Sequence, residues 1–402
     1  MRVSTSQFYS QSGLQMSKQQ SDISEQVNYI SSGKRVLTAK DDAVAYGTLA
    51  GYKNDLANIE TYQRNITQAE NHNNLIETSL ANTEDIMLSL RDLMLQANSG
   101  VRSTEDLASI AQQANNSLKE MLAIANTQDE SGGYIFAGYQ IDSAPFVLQT
   151  DNSVQYRGDN GVRELQIAKN VAIDSNQGGQ KVFEQVANAL GDFSATYNTN
   201  TSGIELESAV IANRSSYDSS GTPPNYTFNF TSATEVTITD GAGIVTLVTD
   251  YKSGQAIDDI PGMAVTFSGN PLPGDEIVLS PQQNVSIFAS IQAAVDWIST
   301  KASVGDVPQL QVDFNQSLNQ LDKVMNHLGA RRADAGINLQ VIDRQKNTHL
   351  DTELYLTKGR ASIEDLDFAK AIAHFEQSKV ALQAAQQTFT QVQGLTLFNY
   401  IR

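Results

Sequence analysis

The sequence contains no cysteine in 402 residues, which excludes disulfides, thiolate chemistry and cysteine-based metal sites. Proline is nearly absent outside the middle: six of the eight lie between 146 and 285, so the flanks have almost nothing to break a helix. No run approaches the ~18 apolar residues that a membrane-crossing helix needs. After Met1-Arg2 there is no apolar core of the kind a cleaved signal carries, so export is expected to use another route. Basic residues are scarce too. The 27 Lys and Arg face 45 Asp and Glu, a net charge of −18, which argues against nucleic acid or an anionic membrane as a partner.

Motifs for chemistry are equally thin. His72, His327, His349 and His374 fall in helical stretches without HxxxH or HExxH spacing, so they read as structural. Gly241 and Gly243 form a GxG in a turn before a β run, not at the start of a phosphate-binding helix. Asp151, Asp159 and Asn160 do not complete a calcium-loop pattern. The expectation is a chain with no catalytic, cofactor-binding or metal-binding residues, and no enzyme.

What the chain does have is helical seams. Phe368, Phe375, Leu382 and Phe389 lie seven apart, interleaved with Ala371, Ser378, Ala385 and Val392. A 3.5-residue apolar period is a helix with one narrow seam that a partner helix must cover. Tyr9, Gly13, Met16, Gln20, Ile23, Val27 and Ile30 repeat that spacing near the other terminus. Tyr9, Met16, Ile23, Val27, Ile30, Phe368, Phe375, Leu382, Phe389 and Val392 are therefore the candidate assembly seam. Ser362 with Asp365 reads as the start of the last helix, and Gly394 as its end, leaving an apolar tip. As a lone pair the two helices are marginal, so 1–44 and 362–402 are expected to be disordered in the free chain.

Between the seams the texture changes twice. Apolar heptads over 45–97 predict one helix of roughly 80 Å, and Ser103 with Asp106 caps a second. Glycine-rich sequence over 131–146 reads as short strands. From 146 to 285 the pattern is mainly β, with runs at 226–230, 235–239 and 244–248 around an Asp240-Gly-Ala-Gly243 turn, and others at 263–267 and 276–279. A helix is expected at 181–190 and a loop at 194–203. Helix returns at 285 and stays. The fold class that follows is α+β and multidomain: a long coiled-coil-like helical rod from both ends, with a mainly β domain inserted. Its parts are a terminal pair (1–44 with 362–402), a rod (45–145 with 286–361, including a small β-hairpin region) and an outer β domain (146–285). That insertion carries six Lys and Arg against sixteen Asp and Glu, as expected of a solvated exterior.

These residues also carry a family resemblance. Met1-Arg-Val-Ser-Thr-Ser, followed by Ile30-Ser-Ser-Gly-Lys-Arg-Val-Leu-Thr-Ala-Lys-Asp-Asp42, resembles the N-terminal signature of the flagellin superfamily. Tyr134-Ile-Phe-Ala-Gly138 with Pro145-Phe146, Arg332-Ala-Asp-Ala-Gly336 with Asn338, and Ser362-Ile-Glu-Asp-Leu-Asp-Phe-Ala369 are similar to its later motifs. The Val392-to-Ile401 ending resembles its hook–filament junction branch rather than a filament flagellin. The resemblance implies a non-catalytic extracellular part of the bacterial flagellum, exported by the flagellar type III apparatus with no peptide cleaved. It further implies a cytoplasmic export chaperone, a ring of copies, hook-associated protein 1 below and flagellin above. A filament flagellin, or a secreted adhesin or enzyme on a helical stalk, stays open as an alternative.

Overall fold

The computed structural model describes residues 2–100, 102–219 and 225–398. The helices are α1 (Arg2–Ser32), α2 (Ala43–Asn98), α3 (Thr104–Ala125), a short α4 (Arg214–Ser219), α5 (Ile287–Val304), α6 (Pro308–Glu364) and α7 (Phe368–Phe398). The long, proline-free heptad stretches thus form the long helices that their period predicts. Ser103 and Asp106 close the expected capping box on α3. Gly394 does not stop α7, which runs through it to Phe398. A single glycine costs a helix only about 1 kcal/mol, too little to end one that its neighbours support. The last residues of the expected apolar tip, 399–402, lie outside the described residues.

By contact the chain divides into two units, 1–64 with 344–402 and 65–343. The second holds the main core. There the later part of α2 packs with α3, α5 and the earlier part of α6 through Leu80, Met87, Leu90, Leu118, Ile291 and Leu321. Phe136, Phe146, Phe183 and Phe288 knit the neighbouring loops into the same core, with ring centroids 5.1–5.9 Å apart.

The strands are β1 (Phe146–Leu148), β2 (Val154–Tyr156), β3 (Glu164–Ala168), β4 (Val171–Asp174), β5 (Val186–Ala187), β6 (Phe193–Thr199), β7 (Glu205–Ile211), β8 (Tyr226–Phe230), β9 (Val236–Asp240), β10 (Val245–Val248), β11 (Ala256–Ile257), β12 (Met263–Ser268), β13 (Glu276–Pro281) and β14 (Asn284–Val285). They pair antiparallel in a five-stranded sheet of order β10-β9-β8-β13-β6, a three-stranded sheet of order β11-β12-β7, and three two-stranded ladders. The two larger sheets share a core of their own around Phe193, Phe228, Phe230 and Phe267.

Three local expectations are corrected. Residues 181–190 are not an α-helix: a π-helical turn at Gln180–Glu184 gives way to β5. Val186 and Ala187 are taken instead by pairing with Val285 and Asn284. The Asn-, Thr- and Ser-rich stretch 194–203 is mostly strand β6, because it docks on β13 and buries Phe193 in the sheet core. Pairing here overrides composition. Residues 131–145 form turns held by one bridge, Gln128 to Tyr134, rather than strands. Asp129 organises them, accepting the N–H groups of Ser131 and Gly133.

Asp275 fixes the sheet core from within. It is fully buried and accepts from the Thr201 N–H and hydroxyl, the Ser202 hydroxyl and the Leu272 N–H. Burial alone would raise its carboxyl, but these four donors outweigh it and the group titrates below the usual range.

The β5·β14 ladder is where the chain leaves the helical core for the sheet core and returns. Asn188 reinforces it, its N–H donating to Gln283 and its side chain to Gln282. Replacing 191–281 by a short Gly/Ser linker should therefore leave a cooperatively folding helical core, since the joined ends are already adjacent. Removing 146–285 should not, because Phe146 and Phe183 go with it, each worth about 3–5 kcal/mol. Thermal unfolding followed by helical circular dichroism separates the two; a non-cooperative melt for the shorter deletion would refute the division.

Candidate assembly interface

The first unit holds the candidate seam. α1 and α7 pair antiparallel, with Tyr9 edge-on to Phe389 at 5.6 Å near one end and the Phe368 ring against Gly33 at the other. On α7 the half-buried positions are Ala371, Phe375, Ser378, Leu382, Ala385, Phe389 and Val392, the expected seam. On α1 they include Tyr9, Met16, Ile23 and Ile30. Between these, however, Ser12, Gln19 and Gln26 occupy the seam in place of Gly13, Gln20 and Val27. Val27 is 45% exposed, and Phe368 on α7 is 50% exposed. Eight of the ten candidates thus share the seam, and two do not. Polar Ser12, Gln19 and Gln26 carry no apolar signal, which is why spacing alone chose their neighbours.

The pair is only half built. No residue of 6–32 or 368–392 is fully buried. Phe8, Leu14, Val27, Ile372 and Val380 present further apolar surface, Leu14 at 71% exposure.

At the base of the pair, two of the motifs that carried the family resemblance meet. Gly33 ends α1 with φ +68°. Lys34 then bridges Asp365, while the Arg35 N–H donates to Glu364 O at 2.7 Å and the Leu366 N–H to Gly33 O at 3.0 Å. This hairpin-like contact splits α6 from α7, so the last helix begins at Phe368 and not at Ser362. Ser362 lies in the last turn of α6, its hydroxyl donating to Gly359 O. Asp367 is the true cap, accepting from the Lys370 N–H.

Glu364 lies at the centre, its side chain 7% exposed, with Lys34 Nζ at 2.7 Å, Lys53 Nζ at 3.2 Å and Arg360 Nε at 3.7 Å. Lys34 above all, with Lys53, holds its carboxyl below the usual range. Beside it, Val36, Ala45, Leu49 and Ile363 form a small apolar cluster. Asp41 accepts the Leu37 and Thr38 N–H groups and is held at about 2, chiefly by Thr38 and then by the Tyr29 hydroxyl. Burial, with Asp41 adding to it, pushes Tyr29 up to about 12. Farther along this unit, Tyr52 packs over Gly359 and Tyr62 stacks on His349 at 5.6 Å.

In the other unit, Arg332 forks onto Glu77 Oε1, 2.6 Å from Nη2, and also reaches Glu84. Asn338 donates to Asn73 at 3.1 Å. The Arg332 motif therefore ties α6 to α2 rather than merely interrupting a heptad. Two other histidines are structural as well. His72 is buried beside Asp129, and His327 Nε2 donates to the carbonyls of Lys181 and Val182.

The chain has paired terminal helices, long returning helices and an inserted β core, and its residues 3–141 match the bacterial flagellin N-terminal helical region. Along its whole length the chain is similar to flagellar hook-associated protein 3 of Escherichia coli strain K12, 22% identical over 99% of both chains. Among solved structures it resembles hook-associated protein 3 of Legionella pneumophila, with 26% identity, 78% of this chain and 98% of that one covered, and a TM-score of 0.65. It also resembles FlgL of Xanthomonas campestris, with 25% identity, 77% and 99% coverage, and a TM-score of 0.64. The resemblance to the flagellin superfamily read from the sequence is borne out.

Glu364→Gln keeps the shape and removes the charge, leaving Lys34 and Lys53 without their anion. Because the folded carboxyl is depressed, its contribution is complete above the unfolded value of about 4.3 and is lost as pH falls through the folded one. Amide exchange at Arg35 and Leu366 should accelerate by a factor equivalent to about 1–2 kcal/mol at neutral pH. The variant should also lack the wild type's loss of protection in acid. Unchanged exchange at both amides would remove Glu364 from this role.

Proposed function

We propose that the chain is a non-catalytic structural subunit of the bacterial flagellum, a junction adapter between hook and filament. The observation that carries this is sequence similarity to hook-associated protein 3 over 99% of both chains, which takes in both terminal helices. In this reading copies of the chain form a ring seated on hook-associated protein 1 and carrying flagellin above. A cytoplasmic chaperone holds the chain before export through the flagellar apparatus, which cleaves no signal.

Charge supports a division of labour. The unit made of 1–64 and 344–402 carries 14 Lys and Arg against 12 Asp and Glu, while 65–343 carries 13 against 33. Like-charged bodies repel, so neighbouring copies gather through the nearly neutral helical ends while the acidic body stays solvated. The half-covered α1·α7 pair fits the same account. Full burial of each seam phenylalanine or leucine is worth ~1.5–3 kcal/mol, yet ordering the backbone costs about 1 kcal/mol or more per residue before helix hydrogen bonds are counted. The pair completes its folding in the assembly, and an unfolded tail suits a narrow export channel.

The match to the flagellin N-terminal region favours a filament flagellin as second reading. A strain lacking the gene separates the two: hooks topped by no filament, with flagellin shed into the medium, is the junction outcome. Growth of long filaments from the purified chain alone would favour flagellin.

Phe375→Asp places a charge in the seam. It should leave monomer stability nearly unchanged, block incorporation into flagella, and leave protease trimming of the free chain stopping near 32 and 368, short of the tie between Gly33–Arg35 and Glu364–Leu366. A loss of several kcal/mol in monomer stability, or tails that resist protease in dilute solution, would make α1 and α7 ordinary core helices.

A further inference from the structure

Within 65–343, the helical core and the sheet core have no residue in common. Beyond the two-residue β5·β14 ladder, the sheet core meets α6 through a row of polar contacts. Gln309, Asp313, Gln316 and Gln320 lie on one stripe of α6, with Asn315 beside them. Asn200 Nδ2 donates to Gln309 at 2.7 Å, and Asn315 Nδ2 to Glu205 at 2.9 Å. Gln316 Nε2 donates to the Tyr197 hydroxyl at 2.6 Å, and the Ala189 N–H to Gln320 at 2.8 Å. A cleft of about 370 Å³ stays open beside these contacts, lined among others by Asn188, Ser194, Asp296 and Asp313.

Two carboxylates are closed into this surface. Asp313 and Glu205 are both half-buried, and each accepts from one side-chain amide, that of Gln309 at 2.6 Å and that of Asn315. The titratable groups that face them are acidic: the Tyr197 hydroxyl from β6, Glu207 from β7 and the exposed Asp296 of α5 across the cleft. Ser268, the β12 partner of Glu205, is neutral. Burial raises both carboxyls, with Glu207 adding to the effect at Glu205, and it pushes Tyr197 up to about 12. Asp275, buried with four donors, shows what a settled carboxylate needs in this body. Asp313 and Glu205 lack that support, so in the docked surface the neutral acid is the better tolerated form.

We infer that the sheet core is a hinged body, pivoting on the β5·β14 ladder, whose docking on α6 tightens when Asp313 and Glu205 take up protons and loosens when both are ionised. Each carboxyl holds its proton more tightly docked than in water. Docking therefore strengthens as pH falls through the docked values, and the gain is complete below the free values of about 3.9 and 4.3. Asp275 titrates below its usual range, so it stays ionised through the upper part of this window and the sheet core keeps its own anchor. The inference does not depend on the flagellar reading.

In the full-length chain the Ala189 amide reports docking, because its acceptor lies on α6. The Tyr251 amide, which donates to Thr234 O inside the sheet core, is the reference. Corrected for intrinsic exchange rates, protection of Ala189 relative to Tyr251 should rise about threefold or more from pH 7 to pH 5. Asp313→Asn combined with Glu205→Gln should show the acid level of protection at both pH values. The lack of native cysteine allows a second reading, with spin labels on Ser109→Cys in α3 and Ile244→Cys in the β9–β10 turn. Their distance distribution should be broad at pH 7 and narrow at pH 5. Relative protection that is the same at both pH values, a pH dependence that survives in the double variant, or label distances equally narrow at pH 7 and pH 5 would each overturn the inference.

Discussion

Two backbone hydrogen bonds, from Arg35 to Glu364 and from Leu366 to Gly33, tie the chain to itself across more than three hundred residues. This tie sets where α1 ends, where α6 yields to α7, and that the two terminal helices emerge together. Glu364 makes it durable. A buried carboxylate with three cations around it costs much to disturb, because removing the anion strands its partners. The apolar cluster of Val36, Ala45, Leu49 and Ile363 keeps water away from it.

The terminal pair illustrates a different balance. Inside 65–343 the helices bury Leu80, Met87, Leu90 and Leu321 completely, and such a core sustains itself. Over 6–32 of α1 and 368–392 of α7 no residue is fully buried, and the α1 seam has Ser12, Gln19 and Gln26 where a self-sufficient coiled coil would place Leu or Ile. Residues 65–343 enclose a complete core, whereas the α1·α7 pair leaves its own seam half covered.

Much of this was legible in the sequence because long heptads have few other interpretations. α2, α3, α5, the α7 seam and the Asp240 hairpin all follow from period, cap and turn chemistry. The failures share a cause. Strand β6 and the β5·β14 ladder exist because of partners about ninety residues away, and neither Ser-Ala-Thr nor a Gln-Val-Ala-Asn stretch announces them. Spacing favours Val27 over Gln26 because it weighs apolarity, whereas the helix phase is set by Met16, Ile23 and Ile30 together. Ser362 reads as a cap because Asp365 has the right offset, but Asp365 is engaged in the bridge to Lys34. The family motifs were visible as words; that two of them touch was not.

The two-residue ladder between β5 and β14 has a consequence for how such proteins diversify. It closes the helical core with both chain ends side by side, so whatever lies beyond it behaves as a cartridge in a socket. Exchange or loss of the cartridge alters the sheet core while the helices behind the ladder keep their register. Change in the sheet core is thereby separated, by four residues, from change in the helical core.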